Sequence, residues 1–108
     1  MVEKYNVKIS NNFYKQSREI YNYILKESVQ NANKFINKLE IQIKKIKKSP
    51  SAYPPLTNFP NKLKLYRYSY VMKSFKIIYK ISGSLIIILG IVHKGRANSE
   101  YNKIRKIH

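Results

Sequence analysis

The stretch SFKIIYKISGSLIIILGIV, residues 74–92, decides the fold. Its first part, Ser74–Ile81, sets large apolar side chains against Lys76 and Lys80 with the two-residue period of a strand. The Ser-Gly-Ser sequence at 82–84 indicates a tight turn. The run that follows, Leu85–Val92, is apolar throughout, which predicts a central strand buried on both faces. We therefore expect a hairpin whose second strand lies at the centre of a sheet.

The segments before this hairpin predict two helices and two further strands. Ser10 is the expected N-cap of a helix that reaches about Glu27. A second apolar stripe predicts a helix that follows Ser28–Gln30 and is ended by Pro50. The prolines of Ser49–Asn61 indicate an ordered connector without regular structure. The predicted strands are Val2–Ile9, Lys62–Tyr70, Ser74–Ile81 and Leu85–Val92. The order β-α-α-β-β-β predicts an α+β fold in which an antiparallel sheet packs against a two-helix hairpin, followed by a short basic C-terminal tail.

The charge balance of the chain is strongly positive. Its 108 residues carry 22 Lys and Arg against five acids, which gives a formal net charge of +17. Charges within the chain cannot neutralise this excess, so we expect a partner that is anionic: nucleic acid, an acidic protein or an anionic lipid surface. Compositional bias from an AT-rich genome is an alternative source of the lysines, although it does not explain the complete lack of Asp.

Length and composition restrict the class of protein. A chain of 108 residues with 44% hydrophobic residues predicts one folded domain over residues 1–108. The absence of Cys excludes disulfide scaffolds and thiolate metal sites. Met1–Ser10 lacks the apolar segment of a signal peptide, and Leu85–Val92 is far shorter than the roughly 20 residues of a membrane-spanning helix. We expect a cytoplasmic protein with no membrane segment.

Several short segments match a known family when they are taken together. They are Tyr5–Ser10, Glu19–Ile24, the apolar positions Ala32, Phe35, Leu39 and Ile43, Ser49-Pro50, Leu65–Arg67, Phe75–Tyr79, and Ile87–His93 followed by Arg96. In this order and spacing the chain resembles, over nearly its whole length, the RelE/ParE superfamily of toxins from bacterial type II toxin-antitoxin systems.

The resemblance implies a small basic toxin that is neutralised by an acidic antitoxin wrapped around its surface. RelE-like members enter the ribosome and cut mRNA, whereas ParE-like members poison DNA gyrase and are not nucleases. We predict the first activity, a metal-independent and ribosome-dependent mRNA endoribonuclease that arrests growth. A ParE-like gyrase poison is the alternative, and neither activity implies a cofactor.

The RelE pattern also implies a set of catalytic residues. The family has cationic active-site residues at the positions of Arg67, Lys76 and Arg96. Tyr101 lies close to the position at which the family has a Tyr near its C-terminus. Lys76 and Arg96 would then clamp phosphate, and Arg67 would position or activate the attacking 2′-hydroxyl. Tyr101 would act as an acid or stack on a base. Two alternatives remain: Lys76 as a solvated lysine of a strand face, and Arg67 as a residue that fixes the connector through hydrogen bonds to its carbonyls.

Two features of the pattern point towards the ParE-like branch. These are the spacing of His93-Lys94-Gly95-Arg96 and the helix signature Glu19–Ile24. The chain also departs from the RelE pattern, because Ser69 stands where RelE-like toxins have a second lysine and Tyr101 follows Arg96 at a slightly different interval. We expect His93 itself to be a hydrogen-bonded structural residue. Because the chain has neither Asp nor Cys, we predict no metal site and no Ser-His-Asp triad.

Three alternate tyrosines mark one face of the strand that follows the connector. Tyr66, Tyr68 and Tyr70 are interleaved with basic residues, as in proteins that stack single-stranded bases on aromatic rings. The interpretation that we favour is a phenol-rich face packed under the helices.

Overall fold

The computed structural model describes residues 4–57 and 63–96. Its elements are β1 (Asn6–Ile9), α1 (Asn11–Leu25), α2 (Val29–Lys48), a 3-10 helix (Pro50–Ala52), β2 (Tyr66–Val71), β3 (Phe75–Ser82), β4 (Leu85–His93) and a second 3-10 helix (Lys94–Arg96). The predicted element order and the α+β class are confirmed. The strand after the connector begins later than predicted, at Tyr66, because Lys64 has a φ of 56° and interrupts the extended backbone.

A serine caps the first turn of each α-helix. The Ser10 hydroxyl accepts the Phe13 N–H at 3.1 Å, and the Ser28 hydroxyl accepts the Asn31 N–H at 3.1 Å. The buried stripe of α1 and α2 consists of Phe13, Ala32, Phe35, Leu39 and Ile46. Across the described ranges, no helix has the length and apolar character that would let it cross a membrane.

The sheet is mixed, with the strand order β1-β4-β3-β2. The pairs β2–β3 and β3–β4 are antiparallel, as predicted, whereas β1 pairs with β4 in parallel. The expectation of a wholly antiparallel sheet was therefore wrong for β1. The two hairpins reverse the chain twice, so β4 runs in the same direction as β2. The long crossover from β1 through α1, α2 and the connector allows β1 to run in that direction too, and β1 therefore pairs with β4 in parallel. The apolar run of β4 is central, as predicted, because β1 and β3 flank it.

A bulge in β4 fastens the sheet to the start of α1. The register of β3 and β4 shifts between Ile78, opposite Gly90, and Tyr79, opposite Ile88. The Leu89 carbonyl accepts hydrogen bonds from the Ser10 hydroxyl and the Asn12 amide, both at 3.0 Å. The Gln16 Oε1 accepts the Ile91 N–H at 2.9 Å. A Cβ at Gly90 would lie 2.6 Å from that oxygen, so this close approach favours glycine.

The sheet separates two apolar clusters. One lies between the sheet and the helices and includes Phe13, Phe35, Ile77, Tyr79 and Ile88. The other lies on the opposite face, here called the outer face, and contains Leu56, Ile78, Leu89 and Val92, with Tyr66, Tyr68 and Ile87 packed against them. Side chains of β2 and β3 therefore point alternately into two different environments.

Candidate functional site

Arg67 lies on the helix face of β2 and holds the connector. Its Nη1 donates to the carbonyl of Tyr53 at 2.7 Å and to that of Ser51 at 3.3 Å. Its partner across the ladder is Tyr79, whose hydroxyl donates to the Pro50 carbonyl at 2.5 Å. These contacts confirm the predicted alternative, in which Arg67 binds carbonyls of the connector. A role of Arg67 in catalysis stays a prediction.

Tyr79 completes this attachment from the core. Its side chain is fully buried, and the burial raises the pKa of the phenol far above its usual range, while the nearby charge of Arg67 partly offsets that rise. The phenol is therefore a neutral hydrogen-bond donor at physiological pH. Together Arg67 and Tyr79 bind three backbone carbonyls at the start of the connector, those of Pro50, Ser51 and Tyr53.

Lys76 lies on the outer face, above aromatic rings. Its Nζ is 4.4 Å from the ring centroid of Tyr68 and 5.5 Å from that of Tyr70. These distances are typical of cation–π contacts. The two rings meet edge to face with centroids 5.7 Å apart. Lys76 is half-buried and contacts two aromatic rings. It is therefore not the solvated lysine that was the alternative to a catalytic role.

A second lysine of β3, Lys80, also lies over a tyrosine ring of β2. The Nζ of Lys80 is 5.2 Å from the ring centroid of Tyr66, its partner across the ladder. We call the five residues of these contacts the tyrosine–lysine ladder: Tyr66, Tyr68, Tyr70, Lys76 and Lys80. The ladder shows that the expected position of the tyrosines, packed under the helices, was wrong. The helix face of β2 instead carries Arg67 and Ser69.

Ser69 shows why polar residues occupy the helix face of β2. It is buried, and its hydroxyl accepts a hydrogen bond of 2.5 Å from the Gln42 amide of α2. A buried hydroxyl needs such a partner, and α2 supplies it. Gln42 and Ser69 also line a cleft of about 350 Å³ at the β2 edge, together with Lys45, Tyr53, Pro54, Tyr68 and Tyr70.

The structure does not bring Arg67 and Lys76 into one site. Residues directly opposite in an antiparallel ladder share a face, and the partners are Arg67 with Tyr79 and Tyr70 with Lys76. Tyr79 belongs to the helix-side cluster, whereas Lys76 contacts the outer-face rings. Arg67 and Lys76 therefore point to opposite sides of the sheet.

The remaining predicted site residues lie near the end of the described chain. Arg96 is the last residue of the 3-10 helix Lys94–Arg96, directly after β4, and Tyr101 lies outside the described residues. His93 ends β4, and its Nδ1 accepts the Gly95 N–H at 3.1 Å. Its ring meets that of Phe75 edge to face with centroids 5.9 Å apart. The hydrogen bond that was predicted for His93 is therefore present, and its structural role stays a prediction.

Sequence reasoning missed Gln42, the pairing of Lys80 with Tyr66 and the cation–π contacts of Lys76. The contacts of Lys76 and Lys80 could have been predicted from the alternate tyrosines of β2 and the alternate lysines of β3. That prediction would have needed the register in which the two strands pair. In residues 4–57 and 63–96, no group of three His, Cys, Asp or Glu side chains is placed to hold a metal ion.

Comparison with protein families identifies a family whose model covers most of the chain. The sequence model of a family described as the ParE toxin of the type II toxin-antitoxin system parDE matches residues 7–98. This range contains both α-helices, β2 to β4 and all of β1 except Asn6. Comparison with curated proteins gives no significant match.

Solved structures share the fold at low sequence identity. A chain of the chromosomal ParDE toxin-antitoxin system from P. aeruginosa superimposes with a TM-score of 0.66 and 17% identity, covering 85% of this chain and 98% of that chain. YafQ from E. coli gives a TM-score of 0.58 and 19% identity over 86% of this chain and 97% of its own. The E. coli DinJ–YafQ toxin-antitoxin complex gives a TM-score of 0.58 and 18% identity over 85% and 94%.

Proposed function

The chain belongs to the ParE toxin family of type II toxin-antitoxin systems, and we propose that it arrests growth by binding and poisoning DNA gyrase rather than by cutting mRNA. As a toxin of such a system it has a cognate antitoxin as its partner. The positive charge of the chain, +17, leads us to propose an acidic antitoxin. Gyrase as the target implies that the toxin acts in the cytoplasm.

The observation that carries this proposal is the separation of Arg67 and Lys76 by the sheet. Metal-independent RNA cleavage needs a base at the 2′-hydroxyl, cations around the phosphate and an acid at the leaving oxygen, all within contact of one nucleotide. Arg67 is bound to the connector carbonyls on the other face from Lys76. The two residues cannot contact the same phosphate while the sheet is intact.

The outer face suits binding to a protein. Its β2 positions are Tyr66, Tyr68 and Tyr70, and Tyr70 exposes 48% of its surface. Tyrosine combines a large apolar ring with a polar tip, and it is enriched at protein interfaces. Lys76 and Lys80 add positive charge beside these rings. We infer that the tyrosine–lysine ladder is the surface that contacts gyrase.

A supercoiling assay tests the proposal. Purified toxin is titrated into gyrase, relaxed plasmid and ATP, and supercoiled and linear plasmid are measured. We expect inhibition by the natural chain and an inhibitory concentration at least about tenfold higher for Tyr70→Ser, since a central interface tyrosine contributes more than about 1.4 kcal/mol. Tyr23→Ser is the matched control, because Tyr23 is also exposed, at 67%, but lies on α1. Equal effects of both variants, or no inhibition at all, would contradict the proposal.

The mRNA endoribonuclease is the second candidate, and the position of Lys76 favours it. Lys76 pairs with Val92 at the end of β4, four residues before Arg96, so a clamp on phosphate by Lys76 and Arg96 is compatible with the strand register. Sequencing of RNA 5′ ends after induction of the toxin distinguishes the candidates. Cleavage predicts mRNA fragments that disappear with Lys76→Ala and Arg96→Ala, whereas the gyrase proposal predicts intact mRNA and DNA-damage signalling.

A further inference from the structure

The exposed side of α2 carries a continuous row of basic residues. Lys34, Lys38, Ile41, Lys45 and Lys48 follow one another at alternating spacings of four and three residues, so they form one stripe along the helix. All five are exposed, whereas the buried positions of α2 lie on another side of the helix. We call these five residues the lysine stripe.

The charge of the lysine stripe has no acidic counterpart on its own helix. The single acid of α2 is Glu40, and its neighbours at three and four residues are Ile36, Asn37, Ile43 and Lys44. None of them belongs to the stripe. Favourable interaction with the helix dipole explains lysines in the last turn, such as Lys45 and Lys48. It does not explain Lys34 and Lys38, which lie in the first half of α2.

The composition of the stripe indicates what it binds. An acidic helix from a protein partner would need a row of apolar residues to bury, and the stripe offers only Ile41. Lysine is a compact charge on a flexible stem, which suits contacts to phosphates without base recognition. From Lys34 to Lys48 the helix rises about 21 Å, at roughly 1.5 Å per residue. Over that length duplex DNA presents on the order of twelve phosphates, at one charge per about 1.7 Å.

We propose that the lysine stripe of α2 binds the phosphate backbone of duplex DNA without sequence preference. This surface meets the tyrosine–lysine ladder only at the β2 edge, where Lys45 lines the same cleft as Tyr68 and Tyr70. The rest of the stripe lies on α2, which covers the opposite face of the sheet. The proposal does not depend on gyrase as the target. If gyrase is the target, the stripe lets one toxin molecule contact the DNA while the outer face contacts the enzyme.

Fluorescence anisotropy with a labelled 20-base-pair duplex of arbitrary sequence tests the stripe. The first variant carries Lys34→Gln, Lys38→Gln, Lys45→Gln and Lys48→Gln. The control carries Lys4→Gln, Lys8→Gln, Lys15→Gln and Lys26→Gln, which removes the same charge from four exposed lysines outside α2. Thermal unfolding of each variant confirms that it is folded before binding is measured.

We expect the stripe variant to bind at least about tenfold more weakly near 0.1 M salt, and the slope of log Kd against log salt to fall by about three to four. The control should change Kd by less than about threefold, because it alters only the general field. Equal losses in both variants would overturn the proposal, since the net charge alone would then account for binding. A stripe variant that keeps its affinity for the duplex but loses affinity for poly-glutamate would also overturn it, by identifying an acidic protein as the occupant. Gyrase inhibition is measured separately, so the two proposals can fail independently.

Discussion

The two faces of the sheet are built from alternate residues of β2 and β3, yet they have different chemistry. On the helix face, Arg67, Ser69 and Tyr79 each form a hydrogen bond with a polar group of the connector or of α2. On the outer face, lysines lie over tyrosine rings. One face thus uses its polar groups to hold the chain together, and the other presents them beside apolar surface. The position of a basic residue within the alternation therefore matters more than its presence in a motif.

The largest difference between the faces should appear in stability. Phe35 is fully buried on the helix side, and its ring meets Phe75 with centroids 5.5 Å apart. Phe35→Ala should lower the free energy of unfolding by about 3–5 kcal/mol, because it leaves a cavity in the core. Tyr70→Ala on the outer face should lower it by less than about 1 kcal/mol. Urea denaturation of both variants measures this, and similar losses would show that the outer face is part of the core.

Arg67 should rank next. Arg67→Met removes the charged donor to the carbonyls of Ser51 and Tyr53, so the free energy of unfolding should fall by about 1.5–3 kcal/mol. Toxicity should fall only in proportion to the folded fraction, because Arg67 lies on the opposite face of the sheet from the tyrosine–lysine ladder. The matched variant is Arg67→Lys, which keeps the charge but not the fork of donors and should recover only part of the stability. A stable Arg67→Met protein without toxicity would instead support a catalytic role.

Tyr79 should link stability to alkaline pH. Since burial raises the pKa of its phenol in the folded state above the unfolded value of about 10, its contribution is complete below pH 10. Above that pH the unfolded chain loses the proton first, and the contribution falls by about 1.4 kcal/mol per pH unit. Tyr79→Phe lacks the bond to Pro50 and should be about 1–2 kcal/mol less stable at neutral pH.

The deficit of Tyr79→Phe should therefore shrink as the pH rises from 10 towards 11. Denaturation of both proteins at each pH measures the difference, in which the titration of the other tyrosines cancels. Tyr53→Phe serves as a control, because it removes a phenol that the connector only half-buries. A constant deficit across this range would contradict the assigned cause of the pKa shift.

Local patterns were sufficient to predict most of the fold. Ser10 caps α1, as predicted, because a hydroxyl can accept a free N–H of the first turn, and this chemistry is local. The apolar run of β4 is central because both of its faces are covered. The direction of β1 was not predictable in this way, since alternation gives the faces of a strand but not its orientation relative to β4.

The candidate site was harder to predict for a related reason. The alternation of β2 correctly separated Arg67 and Ser69 from the tyrosines, but it did not say which set faces the helices. The apolar rings of the tyrosines suggested that they face the helices. In the structure Arg67 and Ser69 face the helices instead, because the connector carbonyls and Gln42 are their hydrogen-bond partners. Those partners lie 14 to 27 residues away in the chain, so only the tertiary fold reveals them.

The smallest expected effect concerns Lys76 and sharpens the contrast most directly. If the rings hold this lysine, a double-mutant cycle between Lys76→Met and Tyr68→Leu should give a coupling energy of about 0.5–1 kcal/mol. The cycle with Tyr70→Leu should give less, because the Nζ lies 5.5 Å from that ring rather than 4.4 Å. Equal stabilities at every corner of both cycles would mean that Lys76 is a solvated charge, and the outer face would then differ from the helix face only in lacking a cover. Measured coupling would mean instead that the outer face fixes the position of its cations before any partner binds, which reduces the entropy lost on association.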